Sequence, residues 1–139
     1  MTRSEKAAQR RRGSASASQR LLAAFFTITG TLHFVRPREY EAIVPPQVPM
    51  HKEVVAISGV AEIVGALSVI PLRTRPFARW WLLGLLLAVF PANIYMAVRP
   101  EEVAERGVAA DRLPRWMLWA RLPLQPLMAV WVWRATERR

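Results

Sequence analysis

Cysteine is absent from the 139-residue chain. Its absence excludes disulfides, Cys-ligated zinc, Cys-ligated iron–sulfur clusters and any CxxC thiol relay. Acidic residues are scarce, with 10 Asp+Glu against 20 Lys+Arg and a formal net charge of +10. Histidine occurs only twice, as His33 and His51. Neither stands with Glu39, Glu41 or Glu53 at a spacing that matches a metal-binding motif, so no metal site is expected. What remains is apolar. Hydrophobic residues make up 53% of the chain, with six Trp and eleven Pro, and the mean hydropathy is +0.13. Strong positive charge points to nucleic acid or to an anionic membrane surface. A positive mean hydropathy and the Trp and Pro content favour the membrane and argue against nucleic acid. The length suits one domain and leaves no room for two.

The apolar residues come in blocks rather than at an amphipathic period. Leu21–Val35 is interrupted only by threonines, Gly30 and His33. Val54–Leu72 carries one charge, Glu62, and Trp80–Val98 carries none. Trp116–Trp133 carries one, Arg121. At about 1.5 Å per residue the last three can each cross a hydrocarbon core of about 30 Å. Whole segments are apolar, not single faces, which argues against soluble core helices. The expected fold is therefore all-α, an integral membrane four-helix antiparallel bundle. Its helices are expected at about 20–35, 54–72, 77–98 and 116–133, within a domain spanning 20–134. Residues 1–19 read as a disordered basic tail, and 135–139 as a short C-terminal tail. Pro37, Pro45, Pro46 and Pro49 mark 36–53 as an irregular loop with a short helical turn at Glu39–Val44. Pro91, Pro123 and Pro126 are expected to kink their helices. The run Gln9-Arg-Arg-Arg12 is similar to a twin-arginine leader, but no Ala-x-Ala site follows the apolar segment, so retention is expected.

Charge gives the orientation. With the N-terminus inside, the inner segments hold twelve Lys/Arg and two acids, Glu5 and Glu137. The outer loops hold seven of each. The positive-inside rule counts the bases and puts both termini in the cytoplasm. The six Trp (80, 81, 116, 119, 131 and 133) all fall near segment ends, where an indole sits well at the bilayer interface. The expected product is a multi-pass membrane protein.

Polar groups inside a membrane cost about 2.5–3.5 kcal/mol when charged, so they mark the candidate site. Counted from the outer end at about 1.5 Å per residue, His33 lies about 3 Å deep, Asn93 and Arg121 about 8 Å, Glu62 about 12 Å and Gln125 about 14 Å. All five fall in the outer half or near mid-membrane. They are the ligand-pocket candidates, with a Glu62–Arg121 ion pair at the centre. Ser58, Gly59 and Gly65 are the helix-packing candidates, since small residues let another helix approach. The cluster could simply hold the helices together. It could equally form a small polar pocket for a quinone headgroup or another small ligand.

The motifs Gly30-Thr-Leu-His-Phe34, Pro37, Val44-Pro-Pro-Gln-Val-Pro49 and Ser58-Gly-Val-Ala-Glu62-Ile-Val-Gly65 resemble the first half of DoxX-like membrane proteins. Pro71-Leu-Arg-Thr-Arg75, Ala88-Val-Phe-Pro-Ala-Asn93-Ile-Tyr-Met-Ala97 and Arg121-Leu-Pro-Leu-Gln125 resemble the second. The likeness runs from about Leu21 to Trp133. It implies a four-helix inner-membrane protein, and the family's characteristic polar positions correspond to His33, Glu62, Asn93, Arg121 and Gln125. The family is named for a small subunit of a thiosulfate:quinone oxidoreductase, and other members are linked with membrane redox complexes. The resemblance implies a membrane subunit or anchor in such a complex, with no intrinsic cofactor and a pocket open to a quinone or another small ligand. Electrons would come from a redox partner protein. The rival readings are a structural or partner-binding membrane protein, including a homo-oligomer, and a minimal proton-coupled transporter using Glu62.

Overall fold

A computed structural model describes residues 1–5 and 14–137. The leader-like run, much of the basic tail and the last two residues of the C-terminal tail lie outside the described residues. Among those described there is no strand, and the chain is all-α. Four long helices carry the fold: α1 (Ala17–Val35), α3 (His51–Val69), α4 (Arg75–Val98) and α6 (Arg115–Ala135). Two short ones, α2 (Pro37–Ile43) and α5 (Pro100–Glu105), and a 3-10 turn at Ala110–Arg112 lie in the connections.

The boundaries have local causes. α1 starts at Ala17, earlier than expected, because Ser16 and Gln19 form a capping box in which each side chain bonds the other's backbone N–H. α2 places Pro37 in its first turn, where the missing N–H costs nothing. α3 begins at His51 and ends before Pro71, about one turn displaced toward the N-terminus relative to the expected segment. Its last carbonyls are not left bare. Arg75 is buried and donates from Nε to the Val69 carbonyl (3.1 Å) and from Nη2 to the Ile70 carbonyl (3.2 Å). α4 and α6 run on through Pro91, Pro123 and Pro126 without a break in helix.

The long helices lie antiparallel. α1 packs chiefly on α3, α3 also on α4, and α4 on α6. Leu22 of α1, Val69 of α3, Ala78 and Leu82 of α4 and Val132 of α6 meet in one buried cluster. That cluster joins the start of α1 and α4 to the end of α3 and α6. Hydrogen bonds clamp the same end: Gln19 Nε2 donates to the Ala135 carbonyl (2.8 Å), and Trp131 Nε1 to Ser18 Oγ (2.9 Å). Arg79 donates to Thr136 Oγ1 (3.0 Å) and lies 4.4 Å over the Trp133 ring. A second cluster at the opposite end unites Ala42, Met96, Val103 and Leu118.

Much of the outer surface is apolar. Ile57 is 68% exposed, Leu87 74% and Leu127 63%. Among the described residues, α4 is the one helix long and apolar enough by itself to cross a membrane. α1, α3 and α6 carry His33, Glu62, Arg121 and Gln125 within largely apolar stretches.

Candidate functional site

The site begins at two glycines. Gly30 of α1 and Gly59 of α3 lie where these helices cross, both buried. With no Cβ at either position the backbones approach closely. One turn away on α3 stands Glu62, buried to 8% exposure. The crossing brings it against α1, where the Thr29 hydroxyl donates to Glu62 Oε2 (2.5 Å). His33 Nε2 lies 3.8 Å from Glu62 Oε1. The other ring nitrogen of His33, Nδ1, sits 2.8 Å from the Thr29 carbonyl. A carbonyl only accepts, so Nδ1 carries the proton and Nε2 is the nitrogen turned to the carboxylate.

Tyr40 of α2 closes this corner. Its ring stacks on His33 with centroids 3.9 Å apart and planes 28° apart. Burial pushes its phenol above the ordinary value, and the Glu62 carboxylate adds to that, while Arg121 opposes it. The tyrosine thus sits within the fields of both charges.

The opposite wall comes from α4 and α6. Asn93 Nδ2 donates to Gln125 Oε1 (2.8 Å), and Gln125 Nε2 donates to the Leu86 carbonyl. That carbonyl lies just over a turn before Pro91, next to the Leu87 carbonyl whose helical donor the proline lacks. Gln125 is buried. Arg121 Nη1 is directed at Met96 Sδ (3.0 Å).

These walls enclose a partly open cavity of about 400 Å³. His33, Glu62, Asn93, Arg121 and Gln125 all line it, as do Thr29, Tyr40 and Ser58. Phe26, Val55, Val89 and Met128 contribute apolar wall. So the five sequence-derived positions converge on one space. The expected Glu62–Arg121 ion pair does not form: the basic side chain within 4 Å of Glu62 is the His33 imidazole. The reason is packing. The glycine crossing turns Glu62 onto α1, whereas Arg121 rides on α6, which packs on α4. Of the packing candidates, Gly59 serves the α1 contact, and Gly65 lets Leu82 and Trp81 of α4 come close. Ser58 does neither. It donates to the Val55 carbonyl (3.0 Å) and forms cavity wall. Tyr40 is not singled out by the sequence, because it lies in a loop region whose packing no periodicity reveals. Among the described residues no group of His, Asp and Glu could hold a metal ion.

A family model described as "Domain of unknown function (DUF8561)" matches residues 22–136. The chain belongs to the DUF8561 family. The matched stretch begins at Leu22 and ends at Thr136, both fully buried, so the DUF8561 unit is the helical core with its cavity. No curated protein and no solved structure matches the chain.

Proposed function

We propose that this DUF8561 protein is a DoxX-like, four-span inner-membrane protein with both termini in the cytoplasm. In this reading it is a membrane subunit or anchor of a redox-associated complex, and its cavity binds a quinone headgroup. One observation carries the proposal: five polar residues, one or two from each of four apolar segments, line one cavity. Large exposed side chains on every long helix support a lipid environment, among them Ile28, Ile57, Leu87 and Leu127. The excess of bases on one side of the four segments supports the orientation.

The cavity's chemistry suits a ring with two carbonyl oxygens. Such a ligand needs donors at two places and apolar contact between them. Arg121 and Asn93 offer N–H groups from α6 and α4, and the Tyr40 hydroxyl offers a donor from α2. Phe26, Val55 and Val89 supply the apolar contact. The quinone supplies the two-electron chemistry, and a partner protein supplies the electrons, since this chain has no cysteine.

Quinone content decides the matter. The full chain is extracted into native-lipid discs and its retained small molecules are identified by mass spectrometry. A co-purifying quinone is expected. It should be lost from Glu62→Gln and Arg121→Gln variants that keep wild-type helicity. A preparation with no quinone, and no stabilisation by added quinone, would overturn the reading.

A further inference from the structure

Four of the five cavity residues are committed within the protein. His33 Nδ1 is bonded to the Thr29 carbonyl, Glu62 accepts from Thr29, and Asn93, Gln125 and Leu86 form a chain. Arg121 is the exception. Among the described residues its one hydrogen-bond partner is the Met96 thioether, a weak acceptor. No described carboxylate lies within 4 Å of it, whereas Arg36, Arg99 and Arg115 each hold one. Arg106 donates to the Val44 carbonyl (3.0 Å). Arg121 therefore brings a full charge and a fork of donors to the exposed mouth of a largely apolar cavity, with no carboxylate of the described residues within 4 Å of it.

A guanidinium with donors unspent beside an apolar wall is a site for an oxyanion, because charge-assisted hydrogen bonds are roughly twice as strong as neutral ones. The other end of the cavity selects differently. Glu62 presents acceptor oxygens there, with the Thr29 hydroxyl and His33 Nε2 around them. A negative oxygen on the ligand is favoured at the Arg121 end only. We infer that the cavity's natural ligand carries one acidic group, a carboxylate or an ionised enolic or phenolic oxygen, and that this group pairs with Arg121 while the ring body lies against the apolar wall. This inference rests on the cavity being a ligand site and narrows the ligand from a neutral quinone to an anionic, ring-bearing amphipath.

A matched pair of probes tests it. Methylnaphthoquinone is neutral. Hydroxynaphthoquinone has the same ring body, but its enolic hydroxyl is a vinylogous acid and is ionised at neutral pH. Binding of each is measured by calorimetry on the full chain in zwitterionic-lipid discs, with circular dichroism to check helicity. The anionic probe is expected to bind about tenfold tighter or more. R121Q should weaken the anionic probe far more than the neutral one and so abolish the preference, and R121K should keep most of it. Equal affinities for the two probes would overturn the inference while leaving the quinone reading standing. So would a preference that survives R121Q, or an Arg121 satisfied by lipid phosphate that shows no preference at all. Failure of both probes to bind would overturn this inference and the quinone reading together. Should R121Q not fold, the wild-type comparison and R121K still decide.

Discussion

Gly30 and Gly59 exclude each other's side chains: a Cβ on Gly30 would lie 2.8 Å from the Gly59 carbonyl oxygen, and one on Gly59 would lie 2.9 Å from that of Gly30. Backbone cannot yield as a side-chain tip can, so even one methyl group forces the helices apart. Gly59→Ala should destabilise the fold by about 1–3 kcal/mol. A Cβ on Gly84 of α4 would meet nothing within 4 Å. Gly84→Ala should therefore be neutral or stabilise by up to about 1 kcal/mol through helix propensity. Unfolding in mixed micelles with increasing denaturing detergent compares the two.

The geometry also predicts which charges are coupled. Glu62 and Arg121 do not touch, so Glu62→Gln and Arg121→Gln should change stability additively, within about 0.5 kcal/mol. Glu62→Gln and His33→Gln share a contact and should be non-additive by more than that. A double-mutant cycle for each pair reads this out. Strong coupling between Glu62 and Arg121 would contradict the structure.

That contrast shows what the sequence could and could not convey. Lengths and apolar runs are enough to locate the four long helices, because each must bury or expose a continuous stretch. Position along antiparallel helices groups His33, Glu62, Asn93, Arg121 and Gln125 at one level, and the five line one cavity. The partner of Glu62 is hidden, since it depends on how far α1 rotates against α3, and two glycines set that contact. Tyr40 is hidden for another reason. It reaches the cavity through the fold-back of α2, a tertiary placement that leaves no period in the chain.

Asn93 and Gln125 tie α4 to α6 beside the Pro91 turn. Asn93→Ala and Gln125→Ala should each cost about 1 kcal/mol. The double variant should cost less than the sum, because the second change removes a group already lacking its partner. Thermal unfolding of the three variants measures it.

Tyr40 predicts an alkaline effect. Its phenol is raised in the folded state above the ordinary value of 10.0. The contribution to stability is thus full below that value and is lost as pH rises through the folded one. Tyr40→Phe keeps the ring on His33 but removes the ionisation. Its unfolding free energy should fall less steeply than wild type as pH rises past 10.0. Parallel alkaline limbs for the two proteins would show that Tyr40 is not shielded as described.

The polar groups set within α1, α3 and α6 have a further consequence. In the proposed bilayer, α4 presents no charge between Trp80 and Val98, whereas the others carry groups that lipid rejects. Biogenesis and ligand capture then compete for the same positions. Replacing His33, Glu62, Arg121 and Gln125 with leucine would give segments that insert more readily and a cavity with little left to recognise. Shielding of those groups falls to the neighbouring helices: Glu62 of α3 is met by Thr29 and His33 of α1, and Gln125 of α6 by Asn93 and the Leu86 carbonyl of α4.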